Sequence, residues 1–432
     1  MKNSIPACSL LIASLLLPSC RQLPESGAKK TSSNAVLVKT LIDSSANVRV
    51  ETWSVGSSRK FSALTNLDTP HKWRVSKSVL HGGRQENVDV VDVDNGILRF
   101  RIVPTRGMNI WDAHVGDFRL GWNSPVKEIV HPGFVNLDTR GGLGWLEGFG
   151  EMLNRCGLAS FGAPGTDVVP SNTGAPTEVT LGLHGKISYL PASRCEVIIE
   201  PAPSRKIRIR GYIDETMMFG TQLRLVSEIW TEPGSTTIHF EDEIINLADK
   251  DQEMQYLYHC NFGQPLLDEG TRFIAAVKKV FPRDARAAEG GLADWDVYGP
   301  PQAGYTEQVY LMSLYGDENN QTETMLQNKA GDRGVSLTFS TRELPHFTLW
   351  KNTTALKDGY VTGIEPGTSY PMLRSIEREG GRVPVLKGGQ SYKASLGINV
   401  LPDAAAVEAA RKRIAALQGD RKTTVDKEPL SK

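Results

Sequence analysis

Three short stretches of the chain carry residues that could move protons. "LYHCNFG" sets His259 two residues before Asn261, "VTLGLHGKIS" carries His184 and Lys186, and "YVTGIEPG" brings an apolar run to Glu365 before Pro366 and Gly367. A histidine and a carboxylate form the usual general acid and base near neutral pH, once their surroundings tune their pKa values. Glu365, at an expected strand end before a rigid turn, is well placed for such work. Arg106, before Gly107 in "PTRGMNIWD", would sit in a tight turn and offer a fork of donors to a substrate hydroxyl or carboxylate. Plainer roles compete with each: a hydrogen-bonded structural histidine, a carboxylate receiving backbone donors, a surface ion pair of little worth. His184, His259 and Glu365 lie far apart and show no HxH or HExxH spacing, so neither a metal nor a cofactor is expected. Cys156 in "LNRCGLASFG" reads as a small buried thiol with no evident base beside it. Trp111, Trp122, Trp145 and Trp350 could stack on sugar rings, with core packing as the alternative.

These residues need strands to hold them. In "MQYLYHCNF" a strand puts Tyr256, Tyr258 and Cys260 on a core face, and Gln255, His259 and Asn261 on the other, the wall of a polar cleft. "VTLGLHGKIS", read as a strand, divides likewise, with Thr180, His184, Lys186 and Ser188 on its polar face. "NVDVVDVDNGILRFRIV" reads as two strands around the turn Asn95-Gly96. The alternation continues through "RKIRIRGYIDE", "TQLRLVSEIW", "TTIHFEDEII", "GVSLTFS" and "KASLGINVL". No βαβ rhythm and no Gly-rich phosphate loop interrupts it. The fold class expected is all-β: one large antiparallel β-sandwich over residues 46–401. A short C-terminal helix over 402–418 should follow, capped by Asp403 with a stripe of Val407, Ala410, Ile414 and Leu417, then a disordered tail over 419–432.

Bulk composition narrows the partners. Lys+Arg and Asp+Glu both number 49, so no basic excess draws the chain to nucleic acid or an anionic membrane. The amino terminus, "MKNSIPACSLLIASLLLPSC", has Lys2, a short apolar run and small residues before Cys20, which reads as an export signal over 1–20. Leu17-Pro18-Ser19-Cys20 resembles a bacterial lipobox, in which the cysteine is lipidated. The expectation is therefore an exported periplasmic or cell-surface lipoprotein, with residues 21–45 as a flexible tether and membrane contact only through Cys20. Cys156, Cys195 and Cys260 then remain, an odd number that cannot all pair within one chain.

The order of Arg106, "LHGK", "YHCNFG" and "GIEP" resembles the aldose 1-epimerase (galactose mutarotase-like) superfamily. "RGMNIWDAHVGDFRLGWNSP", "GWLEGFGEMLNRCGL" and "LHGKISYLPA" resemble its uncharacterised, epimerase-like bacterial branch, and the likeness runs over about residues 80–400. The resemblance implies a supersandwich fold and a sugar substrate. It also implies that His259 is the acid that protonates the pyranose ring oxygen and Glu365 the base that takes the anomeric hydroxyl proton, from opposite sides of the hemiacetal. His184 and Arg106 would then bind substrate, with Lys186, Asn261 and Trp350 beside them. Tyr258 stands where true mutarotases carry asparagine, which would alter that wall of the pocket. An exported lyase or glycosidase, its cleft enriched by Arg106 and Lys186, and a non-catalytic carbohydrate-binding lipoprotein are the alternatives.

Overall fold

The computed structural model describes residues 35–57, 67–290 and 292–429. Its strands form a 10-stranded and a 13-stranded sheet, with short two-stranded pairs beside them. The two large sheets pack face to face over one apolar core, the supersandwich expected.

The two sheets differ in what covers them. In the first, the hairpin Ile207–Thr216/Gln222–Thr231 alternates strictly between buried and part-exposed residues. Its outer face carries cross-strand charge pairs in register, Arg210 with Glu228 and Asp214 with Arg224, both closing at 2.6 Å. In the second, the strand Gln255–Phe262 is buried at every position. Its inner face meets the core, and its outer face lies under Trp122, Trp145 and Phe149, which cluster with Cys156, Leu257 and Val361. That second cover is what makes an enclosed site here.

The sheets are tied through a buried charge cluster. Arg155 on Leu153–Leu158 pairs with Asp242 on Thr237–Asn246 of the opposite sheet at 2.9 Å, and Tyr256 and Tyr258 donate their hydroxyls to the same carboxylate at 2.6 and 2.8 Å. Arg155 also donates to Ser227 Oγ and the Met108 carbonyl. Tyr258 is thus spent on the core side, and no wall of the site is built from it.

Several expectations hold and several are corrected. The strands Asp89–Asp94 and Leu98–Val103 flank Asn95-Gly96 as expected. The helix is Ala404–Gln418, capped by Asp403 Oδ1 on the Ala406 amide at 2.8 Å, and it buries Val407, Ala410 and Ile414. The tether does not run to residue 45: Leu37–Asp43 pairs with Arg194–Ile199, and Leu41 enters the core with Leu37 and Ile42 packed against it. The tail is not free either. Thr424–Val425 pairs in parallel with Val277–Pro282, and Lys279 meets Asp426 at 3.0 Å. The signal segment, with Cys20, lies outside the described residues.

Candidate active site

His259 and Glu365 come together because their strands are neighbours. Gln255–Phe262 pairs with Val361–Gly367 in a register that sets Leu257 against Gly367 and Asn261 against Gly363, which puts Glu365 across from His259. The strand continues through Pro366 and Gly367 rather than breaking after Glu365, so the carboxylate is held by a ladder on both sides. His259 Nε2 stands 3.3 Å from Glu365 Oε1. Gly363 makes room for the pair: a Cβ there would fall 2.1 Å from Glu365 Oε1 and 3.2 Å from the His259 ring.

Asn261 sets the state of the histidine. Its Nδ2 faces three acceptors, the carbonyls of Glu151 and His259 at 3.1 and 3.0 Å and Asn154 Oδ1 at 3.3 Å. Its Oδ1 is thereby turned to His259 Nδ1 at 2.6 Å and must accept a proton from it. Neutral His259 therefore carries its hydrogen on Nδ1 and offers a bare Nε2 to Glu365. Burial lowers the His259 pKa to about 4 against the opposing Asn261 bond. Burial, with the charge of Glu307 adding and Arg283 opposing, holds Glu365 well above the usual carboxylate range. Burial thus favours the neutral form of both groups, and Glu365 Oε1 stands beside Nε2 with no hydrogen-bond partner within the protein. Replacing Asn261 with alanine should let the imidazole proton divide between both nitrogens and lower the His259 pKa further. Imidazole ¹⁵N shifts would report this, and unchanged shifts would place the lock elsewhere.

Four rings enclose the histidine. Phe149, Trp145, His184 and Trp350 have centroids 5.4, 5.9, 5.2 and 5.5 Å from that of His259. Trp145 and Phe149 come from the single 3₁₀ segment Gly144–Gly148 and the residue after it. His259 is 4 % exposed and Glu365 2 %, so the pair lies beneath packed aromatic rings rather than on the wall of an open cleft. Trp145 Nε1, His184 Nδ1 and Thr348 Oγ1 are buried with no hydrogen-bond partner within the protein. Thr348 is the cross-strand neighbour of Glu365. Buried polar groups left so are costly unless a polar guest completes them.

His184 reaches the pair by a route alternation does not describe. The strand ends at Leu181, and His184 occupies a left-handed turn with φ 55°. Its amide donates to the Gly162 carbonyl and its own carbonyl accepts from the Gly157 amide. The backbone approaches so closely here that a Cβ on Gly185 would lie 2.1 Å from the Ser160 carbonyl oxygen. Such a conformation costs about 1 kcal/mol or more and persists where neighbours hold it. Burial, with His259 alongside, keeps the His184 pKa well below its usual value.

Two expected site residues are elsewhere. Arg106 does sit in the turn before Gly107, but it is wholly buried. It pairs with Glu151, donates to the carbonyls of Val130 and Gly148 at 2.9 and 3.0 Å, and lies against the Tyr189 ring. It braces the segment that carries Phe149 and has no donor turned to the His259–Glu365 pair. Lys186 is exposed in the turn after His184, and the carboxylate it acts on is Glu215. Asn261 is in the site but holds His259 rather than facing a guest. The sequence reading did not single out Phe149, Thr348, Gly363 or Glu307. The first lies in "GWLEGFGE", whose aromatic–glycine alternation was a usable signal; Thr348 and Glu307 had none. His259 and Glu365 are adjacent, not opposed across a hemiacetal.

The family profile described as "Domain of unknown function (DUF4432)" matches residues 85–400. The crystal structure of a Klebsiella pneumoniae protein, provisionally named an aldose 1-epimerase, is 38 % identical. It superimposes with a TM-score of 0.84 over 92 % of this chain and 100 % of that one. A galactose mutarotase-like protein from Clostridium acetobutylicum, at 15 % identity and a TM-score of 0.54, shares the fold over 76 % of this chain and 98 % of its own. No curated protein matches the sequence.

Proposed function

From the premise that the chain belongs to the DUF4432 family, within the galactose mutarotase-like superfamily, we propose that it is a carbohydrate-modifying enzyme that interconverts the anomers of an aldose. The observation that carries this reading is the His259–Glu365 pair at 3.3 Å, with Asn261 holding Nδ1–H. Ring oxygen and anomeric hydroxyl share one carbon, so adjacent acid and base can reach both from one edge.

In the working state the carboxyl proton of Glu365 has passed to His259 Nε2 and Glu365 is a carboxylate. His259 gives its proton to the ring oxygen as the C1–O5 bond breaks, and Glu365 takes the proton of the anomeric hydroxyl, leaving an open-chain aldehyde. The pair then holds the same single proton as in the free protein, now on Glu365. After rotation about C1–C2 the steps reverse: O5 attacks the other face of C1, its proton returns to His259, and Glu365 reprotonates O1. No net proton crosses to solvent. Asn261 Oδ1 stabilises the transient imidazolium through Nδ1–H. Trp145, Phe149 and Trp350 surround His259 with apolar rings, and the unpartnered Trp145, His184 and Thr348 atoms suit the hydroxyls of a sugar. The lyase reading drew on Arg106 and Lys186, and neither is turned to the pair.

Proton NMR of the purified protein with anomerically pure aldoses tests this. Anomer exchange faster than the uncatalysed rate supports it. New vinylic signals with uronate oligosaccharides would replace it with a lyase, and silence with every sugar would remove the activity. Export with lipidation at Cys20 remains part of the proposal. Radioactive palmitate should label the protein in a bacterial host, and a label that survives Cys20→Ser would sink the anchor.

A further inference from the structure

We propose, resting on the lipid anchor at Cys20, that the hairpin tip Met217–Gly220 enters the apolar boundary of the same bilayer and sets which way the domain faces. The tip joins the strands Ile207–Thr216 and Gln222–Thr231 and carries Met217, Met218 and Phe219 in succession, 60, 76 and 61 % exposed. Leu247, 43 % exposed, adjoins them, its amide donating to the Gln222 carbonyl at 2.9 Å. Large apolar side chains gathered at one point, rather than scattered singly, mark a surface that meets a partner or a membrane. Phe219 is moreover held at φ 62°, a left-handed conformation that an aromatic residue seldom adopts, while most of its surface stays in water.

Charge is kept back from the tip. Residues 216–222 carry none. Glu215, just before them, is turned inward and accepts from the amides of Leu158 and Ala159 at 2.7 and 3.3 Å. Asp214 and Arg224, one step further down the hairpin, neutralise each other at 2.6 Å. An uncharged apolar cap above paired charges suits the headgroup boundary of a bilayer, where apolar side chains sink and charges stay in water. The unbranched methionines adapt to a fluid phase and need no preformed pocket opposite them. Chain length allows both contacts at once. Leu37 pairs with Ile199, and Ile199 with Ile207, so the chain enters this sheet at the end away from the tip. The strand Ile207–Thr216 spans about 34 Å at the usual rise. The stretch from Cys20 to Leu37 reaches at most about 55 Å, so a lipid on Cys20 and the tip can share one membrane surface. The anchor raises the effective concentration of the tip at the bilayer, so a few side chains of modest affinity suffice.

Oxidative footprinting of the full chain from a bacterial host tests this. Peroxymonosulfate, an anion that stays out of lipid, turns exposed methionine into its sulfoxide. Met217 and Met218 are read by mass spectrometry in one tryptic peptide, residues 211–224, and the wholly buried Met108, Met152, Met254, Met312 and Met325 serve as internal controls. Vesicles of phosphatidylethanolamine and phosphatidylglycerol should slow oxidation of Met217 and Met218 by about tenfold or more. Equal rates with and without vesicles overturn the proposal. So does protection that follows protein concentration alone, which would mean that a second copy covers the tip. The triple change Met217→Ser, Met218→Ser, Phe219→Ser should keep the parent melting temperature and leave the vesicles about tenfold faster; an unchanged rate of release also overturns it. Palmitate labelling decides the anchor separately. With the label present and both methionines unprotected, the tip fails and the anchor stands. With no label, protection that still develops at high lipid concentration upholds the tip alone, and its absence removes both.

Discussion

Glu365→Gln is expected to lower anomer exchange by about a thousandfold, within the range for loss of a general acid–base group, and to leave a folded and more stable protein. The amide fits the space beside Gly363 but cannot exchange a proton with His259 Nε2. The stability gain follows from the burial that makes Glu365 useful. Its folded pKa lies well above 4.5, so its neutral form contributes stability below about 4.5 that is lost as pH rises toward the folded value. Glutamine needs no ionisation, so the melting temperature of the variant should exceed that of the parent at pH 7 to 8 and match it near pH 4. His259 titrates with the opposite consequence. Its pKa falls from 6.5 to about 4, so it contributes stability above 6.5 that disappears as pH drops through that window. Glu365→Gln should therefore soften between pH 6.5 and 4, whereas in the parent the stability gained at Glu365 offsets the His259 loss over most of that window. Kinetics and calorimetry on one preparation suffice. Retained exchange in Glu365→Gln would take the acid–base role from this pair, and an unchanged melting temperature at pH 8 would show that the carboxyl is not held neutral.

Asp242→Ala should cost about 3–5 kcal/mol of stability, the typical penalty for stranding one partner of a buried ion pair. Removing the carboxylate leaves Arg155, fully enclosed, without its counter-charge, strands the Tyr256 hydroxyl in the core and leaves that of Tyr258 only the Ala394 carbonyl at 3.3 Å. The effect should reach the site as well, because Tyr258 and His259 are successive residues pointing to opposite faces of one strand. Urea unfolding would measure the loss, and a change under about 1 kcal/mol would show that the cluster is not what joins the sheets. Replacing all four polar groups with apolar residues of similar volume should cost far less than the single change.

The chain's own patterning decides a good deal. Alternation in "MQYLYHCNF" assigned Tyr256, Tyr258 and Cys260 inward and His259 and Asn261 outward, and the strand keeps that division. Period two is a backbone property, so it survives whatever the strand packs against. The hairpin at Asn95-Gly96 and the helix capped by Asp403 were legible for the same reason: a turn dipeptide and an N-cap act within a few residues. The same local reasoning misled at "VTLGLHGKIS", where backbone bonds to Gly157 and Gly162, distant in sequence, turn His184 out of a strand. It misled again at Arg106, whose fork is claimed by Glu151 from another strand's approach and not by a guest. Which strands are neighbours, and therefore that His259 meets Glu365 with Gly363 making the space, is settled by pairing between segments about a hundred residues apart. Enclosure of that pair depends on Trp145 and Phe149 of one segment converging with Trp350 of another. Residue types and their alternation are written locally, whereas proximity, burial and the pKa shifts that follow exist only once non-local contacts remove water.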